Sequence, residues 1–210
     1  MKMKLSLILG GLLLLSQAAM AQSLMVSASV PKATGILLTE IPYNASTQVA
    51  GTPITNPTTI PFGTLAFSSA SNTYVPGTYY GIAITPIGGA GTPVVNVTYT
   101  EGTGTACPNI AAGTSGSLGC LGTKTEATFV TDNPADNTET VSSLGKKRLV
   151  DLTGTTGQLP ASGIPNGQYE KVYVGFWNGA TGDPANGKPF TNADSSGTYT
   201  GTLTFTVVSL

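Results

Sequence analysis

Apolar and polar residues alternate with a period of two along most of this chain, and a helical period is nearly absent after the first twenty or so positions. Met25 to Val30 opens the pattern, with Val26, Ala28 and Val30 on one face and Ser27 and Ser29 on the other. Ile36 to Ile41 is a second apolar run, and Pro42 to Pro61, rich in Pro, Thr and Asn, reads as a long connection or a short edge element. Phe62 to Phe67 follows, then the turn-prone stretch Ser68 to Gly77. Tyr79 to Ile87 and Val94 to Glu101 read as a hairpin joined by Gly88-Gly89-Ala90-Gly91, with Val95, Val97 and Tyr99 on one face of the second strand. Thr125 to Val130 and Arg148 to Leu152 are shorter candidates. In Tyr169 to Trp177 the residues Tyr169, Lys171, Tyr173, Gly175 and Trp177 alternate with Glu170, Val172, Val174 and Phe176. The last strand, Thr198 to Val208, puts Tyr199, Leu203, Phe205 and Val207 in phase, with threonines between them. Many short strands with Gly, Pro and Asn turns predict an all-β chain, an antiparallel β-sandwich of eight or nine strands with no internal boundary or repeat.

The exception to the alternation is the start. Met1-Lys2-Met3-Lys4 is basic, Leu5 to Leu15 is apolar except for Ser6, Gly10 and Gly11, and Ala19-Met20-Ala21 has the small-x-small pattern of a signal-peptidase site. This predicts a signal peptide over 1–21 and a single mature domain over 22–210, beginning at Gln22. The apolar run is short for a bilayer span, and no cysteine follows the cut to take a lipid, so no transmembrane anchor is expected after cleavage. The alternative is an uncleaved membrane anchor. Loss of Lys2 and Lys4 leaves seven basic residues against ten acidic ones, a mild negative balance that argues against nucleic acid as a partner. Only 9% of residues are charged, and Thr, Ser, Gly and Asn supply the polarity, which suits a packed or assembled surface.

Export also bears on the two cysteines. Cys107 and Cys120 form an even pair in a loop-like stretch, and bridging them would close a short loop worth roughly 3 kcal/mol. A redox or metal role has less behind it, because the spacing is not CxxC and the flanking residues are not cations.

The chain has no histidine, which removes the commonest general base and the usual zinc and copper ligand. A carboxylate pair would remain for glycosidase chemistry, but Glu101, Asp132, Asp136, Asp183 and Asp194 read as solvated carboxylates at strand ends and in loops. No enzyme activity and no cofactor are expected. Asp183 and Asp194, with Asn186 and Asn192, could gather oxygen ligands for calcium, although Asp-Pro and Asn-Gly are also ordinary turn chemistry. Lys146-Lys147-Arg148 reads as a solvated strand start, with contact to an acidic polymer or neighbouring subunit as the alternative. Trp177 and Tyr173 share a face and offer a glycan contact, the alternative being that part of this aromatic set is core.

The two alternating ends form the remaining candidate. Leu24, Val26, Ala28 and Val30 at the mature N-terminus, and Tyr199, Leu203, Phe205 and Val207 at the C-terminus, suit strands that complete a neighbouring subunit's sheet. Equally, Leu24 to Val30 can be the first strand of its own sandwich. The C-terminal stretch Gly197-Thr198-Tyr199-Thr200-Gly201-Thr202-Leu203-Thr204-Phe205-Thr206-Val207 resembles the closing strand of spore-coat-U-like secreted proteins and chaperone–usher pilins. FGTLAF, VNVTYTEG and VGFWNG look like segments of other exported bacterial surface β-sandwiches. The resemblance implies an immunoglobulin-like subunit of a surface fibre built by strand donation. Pilins of that type bridge cysteines far apart in sequence, whereas Cys107 and Cys120 would close a local loop. The resemblance therefore carries an exported structural role further than that assembly route. The resulting expectation is a non-catalytic structural or adhesive protein, secreted or held at a bacterial surface or in the periplasm, that associates with itself or other surface subunits. The alternative is a secreted carbohydrate-binding module with a polysaccharide partner.

Overall fold

The computed structural model describes residues 24–29, 35–87, 92–102, 121–133, 138–154, 156–159, 164, 169–176, 189–192, 194 and 197–209. The expected signal peptide, Val30, the turn at 88–91, Cys107, Cys120, Asp136, Trp177 and Asp183 lie outside the described residues.

The elements run in chain order as β1 (Leu24–Ser29), β2 (Ile36–Asn44), β3 (Ile54–Thr55), β4 (Thr59–Thr64), β5 (Ala66–Ser68), β6 (Thr73–Val75), β7 (Thr78–Pro86) and β8 (Val94–Glu101). After them come a single turn of helix, α1 (Leu121–Lys124), then β9 (Thr125–Asn133), β10 (Thr138–Arg148), a 3-10 turn (Leu149–Asp151), β11 (Gln158–Leu159), β12 (Tyr169–Phe176) and β13 (Gly197–Ser209). One sheet has the order β11-β8-β13-β1-β4, the other β10-β9-β12-β7-β2-β3, and β5 with β6 forms a separate ribbon. The chain is an all-β sandwich, as its alternation implies. Among the described residues no helix is long and apolar enough to cross a membrane.

The faces read from the sequence are the faces that pack. In β8, Val95, Val97 and Tyr99 are buried while Asn96 and Thr98 are partly exposed and Thr100 is exposed. In β13, Tyr199, Leu203 and Phe205 are buried, Val207 is half-buried, and the intervening threonines look outward. These side chains meet Ile82 and Ile84 of β7, Phe129 of β9, and Val172 and Val174 of β12 in one core between the sheets. Phe62 of β4 locks the two layers, standing edge-on to Tyr80 at 5.1 Å and to Phe176 at 4.9 Å. Each large apolar side chain taken fully out of water contributes roughly 1.5–3 kcal/mol, which is why the inward register is strongly specified.

Five features differ from the sequence reading. There are thirteen strands among the described residues, not eight or nine, because β3, β5, β6 and β11 are two- or three-residue pieces too short to show alternation. The FGTLAF run is split between β4 and β5: Gly63 sits at φ +70°, next to the register shift opposite Val26 and Ser27, so the strand bends there. Arg148 ends β10 and Leu149–Asp151 turns, where a further strand was expected. In addition, β7 and β8 are not a hairpin. β7 pairs with β2 and β12, whereas β8 pairs with β13 and β11, so the two strands belong to different sheets. Both strands have one strongly buried face, and facing sheets satisfy that requirement as well as adjacent strands do.

The sheets are also not wholly antiparallel. β1 runs parallel to β13, with Leu24 opposite Gly197, Val26 opposite Tyr199 and Ala28 opposite Gly201, and antiparallel to β4 on its other side. The two ends of the chain are thus neighbours in one sheet.

Leu203→Ala is expected to cost about 2–5 kcal/mol, because the cavity forms where the layers meet. Val208→Ala, at a residue 52% exposed on the same strand, should change stability by less than about 0.5 kcal/mol. Urea unfolding of the two variants measures both.

Candidate functional site

Three places gather chemistry: the slot filled by β1, a set of buried charges, and a tyrosine cluster on the outer face of the second sheet.

β1 sits between two strands remote from it in sequence, β13 near the C-terminus and β4 beyond β2 and β3. Its sequence neighbour β2 belongs to the opposite sheet. Ala28 is buried against the core and Ser27 is partly exposed, so the alternation of this segment is used inside the chain's own fold. Removing β1 would leave β13 and β4 each with an open ladder edge above the core.

Two carboxylates read as solvated, Glu101 and Asp194, are not. Glu101, at the end of β8, accepts the backbone N–H groups of Leu121 and Gly122 at 3.0 and 2.9 Å and so fixes the start of α1. Burial pushes its carboxyl group up, against the pull of those N–H donors. Asp194 is 9% exposed and engaged by the Lys124 ammonium at 2.8 Å, while accepting the Thr191 N–H at 2.7 Å. Lys124 also donates to the Pro189 carbonyl at 3.1 Å and lies 5.5 Å from the Phe190 ring centroid. This carboxylate ties α1 to the segment before β13, while Asp183 and Asn186, which would share a calcium ion with it, lie outside the described residues. Among the described residues no three acidic, cysteine or histidine side chains are grouped to hold a metal. In the basic cluster, Arg148 makes a two-point contact with Asp151, Nε donating to Oδ2 at 2.7 Å and the second nitrogen to Oδ1 at 2.6 Å, while Lys146 lies 3.6 Å from Glu126.

The residues that the sequence reading passed over are Glu40 and Glu170. Each is 1% exposed and faces the core from strands on either side of β7, Glu40 opposite Ile82 and Glu170 opposite Ile84. Both oxygens of Glu40 lack a hydrogen-bond partner among the described residues, and Glu170 has only the Thr131 hydroxyl, donating at 2.9 Å. Loss of hydration raises both carboxyl groups to about 7. A signal was present: Glu40 is in phase with Ile36 and Leu38, and Glu170 with Val172, Val174 and Phe176.

On the outer face, Tyr43, Tyr79 and Tyr173 come together from β2, β7 and β12. Tyr43 and Tyr79 stack at 5.1 Å with an 8° tilt, and Tyr173 meets them at 5.6 and 6.1 Å. Gly81 makes the cluster possible: a Cβ there would stand 3.0 Å from Tyr43 Cε2 and 3.1 Å from Tyr173 Cε1. The Tyr173 hydroxyl donates to Glu139, with the two oxygens at 2.7 and 2.8 Å, and Lys171 binds the same carboxylate. Burial first, then this bond to Glu139, raise the Tyr173 phenol. An open groove of about 450 Å³ runs beside Tyr79 and Tyr173, bordered by Gln48, Glu126, Thr128 and Lys146. A shallower one of about 490 Å³ lies on the Tyr43 side. In the sequence Tyr173 is a candidate glycan contact that shares a face with Trp177, with core as the alternative for part of that aromatic set. Tyr43 was hidden in a segment read as a connection, and Tyr79 was read only as the start of a strand.

No family model matches the chain, and no curated protein or solved structure shows significant similarity to it.

In the unfolded chain Glu40 and Glu170 titrate near 4.5, whereas in the fold they hold their protons to about 7. Between those values the folded state binds more protons, so stability falls as pH rises and stays lower above 7. Thermal melting should therefore show a higher Tm at pH 5 than at pH 8. The Glu40→Gln, Glu170→Gln double variant should gain about 2 kcal/mol or more at pH 8 and lose most of that slope. Separately, Lys124→Met should destabilise by about 3–5 kcal/mol because it strands the Asp194 charge, and adding Asp194→Leu should recover much of that loss by chemical denaturation.

Proposed function

We propose that this chain is an exported, non-catalytic structural or adhesive subunit of immunoglobulin-like architecture, which joins other copies or other surface subunits through its terminal strands. The observation that carries this reading is the seating of β1 in a slot between two strands remote from it in sequence, parallel to β13. A strand held by a main-chain ladder and a few pocketed side chains, with one covalent connection to the rest, can be replaced by the identical strand of a neighbour at no loss of contacts. Exchange then links subunits head to tail or in closed pairs, and the slot accepts either source of the strand. The low charge and hydroxyl-rich surface suit the close packing of such an assembly. Export into the periplasm or onto a bacterial surface follows from the basic and apolar start of the chain and the Ala19-Met20-Ala21 site.

The mature chain from Gln22, concentrated and viewed by negative-stain electron microscopy with light scattering alongside, should form concentration-dependent oligomers or filaments. A chain lacking Gln22 to Val30 should remain monomeric, and a synthetic peptide of that segment should raise its Tm by several degrees. The same peptide added to the intact chain should block assembly, which tests the idea even where the shortened chain folds poorly. Assembly unaffected by both deletion and peptide defeats the proposal.

A further inference from the structure

The tyrosine cluster lies in the sheet that β1 does not enter, and its geometry serves neither the core nor the slot. We propose that Tyr43, Tyr79 and Tyr173, with the grooves on either side, form a binding ridge for a neutral polysaccharide.

Three observations support this ligand class. The rings are held in place before any ligand arrives: Tyr173 is tied through its hydroxyl to Glu139 and Lys171, Tyr43 is stacked on Tyr79, and Tyr43 and Tyr173 close over the glycine window at position 81. Tyrosines fixed in this way offer apolar surface for the C–H faces of pyranose rings without an ordering cost at binding. Next, the rim supplies hydrogen-bonding groups on a defined turn. Asn44 Oδ1 accepts the N–H groups of Ser46 and Thr47 at 2.9 Å each, and the Gln48 N–H donates to the Asn44 carbonyl at 2.8 Å. This turn places Gln48 on the same groove as Thr128, so an amide and a hydroxyl border the space beside the rings. A groove of about 450 Å³ falls within the size range of roughly 300–1,000 Å³ usual for small-ligand clefts, and the second groove beyond Tyr43 lets a longer polymer continue past the ridge.

The third observation is charge. The charged side chains at the ridge are matched: Glu126 faces Lys146 at 3.6 Å, and Glu139 binds Lys171. Among the described residues no net charge is left at the ridge to attract a polyuronate, a phosphate polymer or a charged peptide. A peptide added as an extra strand is also disfavoured, because β7 and β12 are interior strands and β2 is covered along its outer edge by β3 and by the bonds Asn44 N–H to Val49 O and Gly51 N–H to Pro42 O. The β12 alternation that put Tyr173 on the outward face therefore belongs to a three-ring site assembled from three strands.

Affinity electrophoresis of the intact mature chain, in gels containing a neutral β-glucan, a neutral galactomannan or alginate, tests the proposal. Migration should slow in at least one neutral polymer, and the effect should persist in about 0.5 M salt. Tyr79→Ala and Tyr173→Ala should each weaken the retardation about tenfold, with thermal melting confirming a folded chain. Gln48→Ala, an exposed turn residue outside the core, should weaken it severalfold and serves if a tyrosine variant unfolds. Phe67→Ala, an exposed ring on the β5–β6 ribbon, should leave it unchanged. No retardation in either neutral gel, retardation in alginate alone, equal retardation of the tyrosine and Gln48 variants, or binding of a proline-rich peptide instead of the glycans would each overturn the assignment. Because the ridge and the β1 slot lie in different sheets, loss of glycan retention with assembly intact, or the reverse, separates this proposal from that of strand exchange.

Discussion

The main-chain ladder between the two ends of the chain is the interaction on which the arrangement rests. β1 lies parallel to β13 and antiparallel to β4, filling what would otherwise be a gap through the middle of one sheet. Backbone N–H and C=O groups next to a buried core must be paired, so this sheet is complete only with a strand in that position. The core geometry follows from that closure. Tyr199 and Leu203 of β13 and Phe62 of β4 are held at the spacing that lets them reach Phe190, Phe176 and Tyr80 across the interior. A strand this important, attached at one end of the chain, ties the stability of the fold to the question of whose strand fills the slot.

Polar groups inside the sandwich divide into two kinds. Glu101 and the Lys124–Asp194 pair are satisfied and fasten α1 to the surrounding strands, so their desolvation is offset by charge-assisted hydrogen bonds. Glu40 and Glu170 are not satisfied in this way; they remain neutral into the range near pH 7 because ionisation there would leave a charge without solvent. The outer face of the second sheet is different again. There the missing side chain at Gly81 leaves room for the edges of Tyr43 and Tyr173, which border a ridge with a groove on either side.

Much of the candidate chemistry was legible only in part. Alternation grouped Val95, Val97 and Tyr99, and likewise Leu203 and Phe205, on single faces that are buried, and it separated Tyr173 from Phe176, because burial of one face imposes a strict period of two. It treated Asp194 and Glu101 as solvated, because their partners Lys124 and the N–H groups of α1 are remote or belong to the backbone, which side-chain patterns do not reveal. It missed Glu40 and Glu170 by weighing their charge above their phase, although both sit among residues that the same period sends inward.

From residue order alone came the all-β class, the inward faces of the long strands and the alternating character of both ends, since these depend on local periodicity and turn chemistry. Tertiary structure decided which strands are neighbours. It separated β7 from β8, set β1 parallel to β13, and drew Tyr43, Tyr79 and Tyr173 from three strands into one cluster. The physical reason is that a strand's pattern states which side must be buried but not which backbone will satisfy its hydrogen bonds. That choice is made by the packing of both sheets at once.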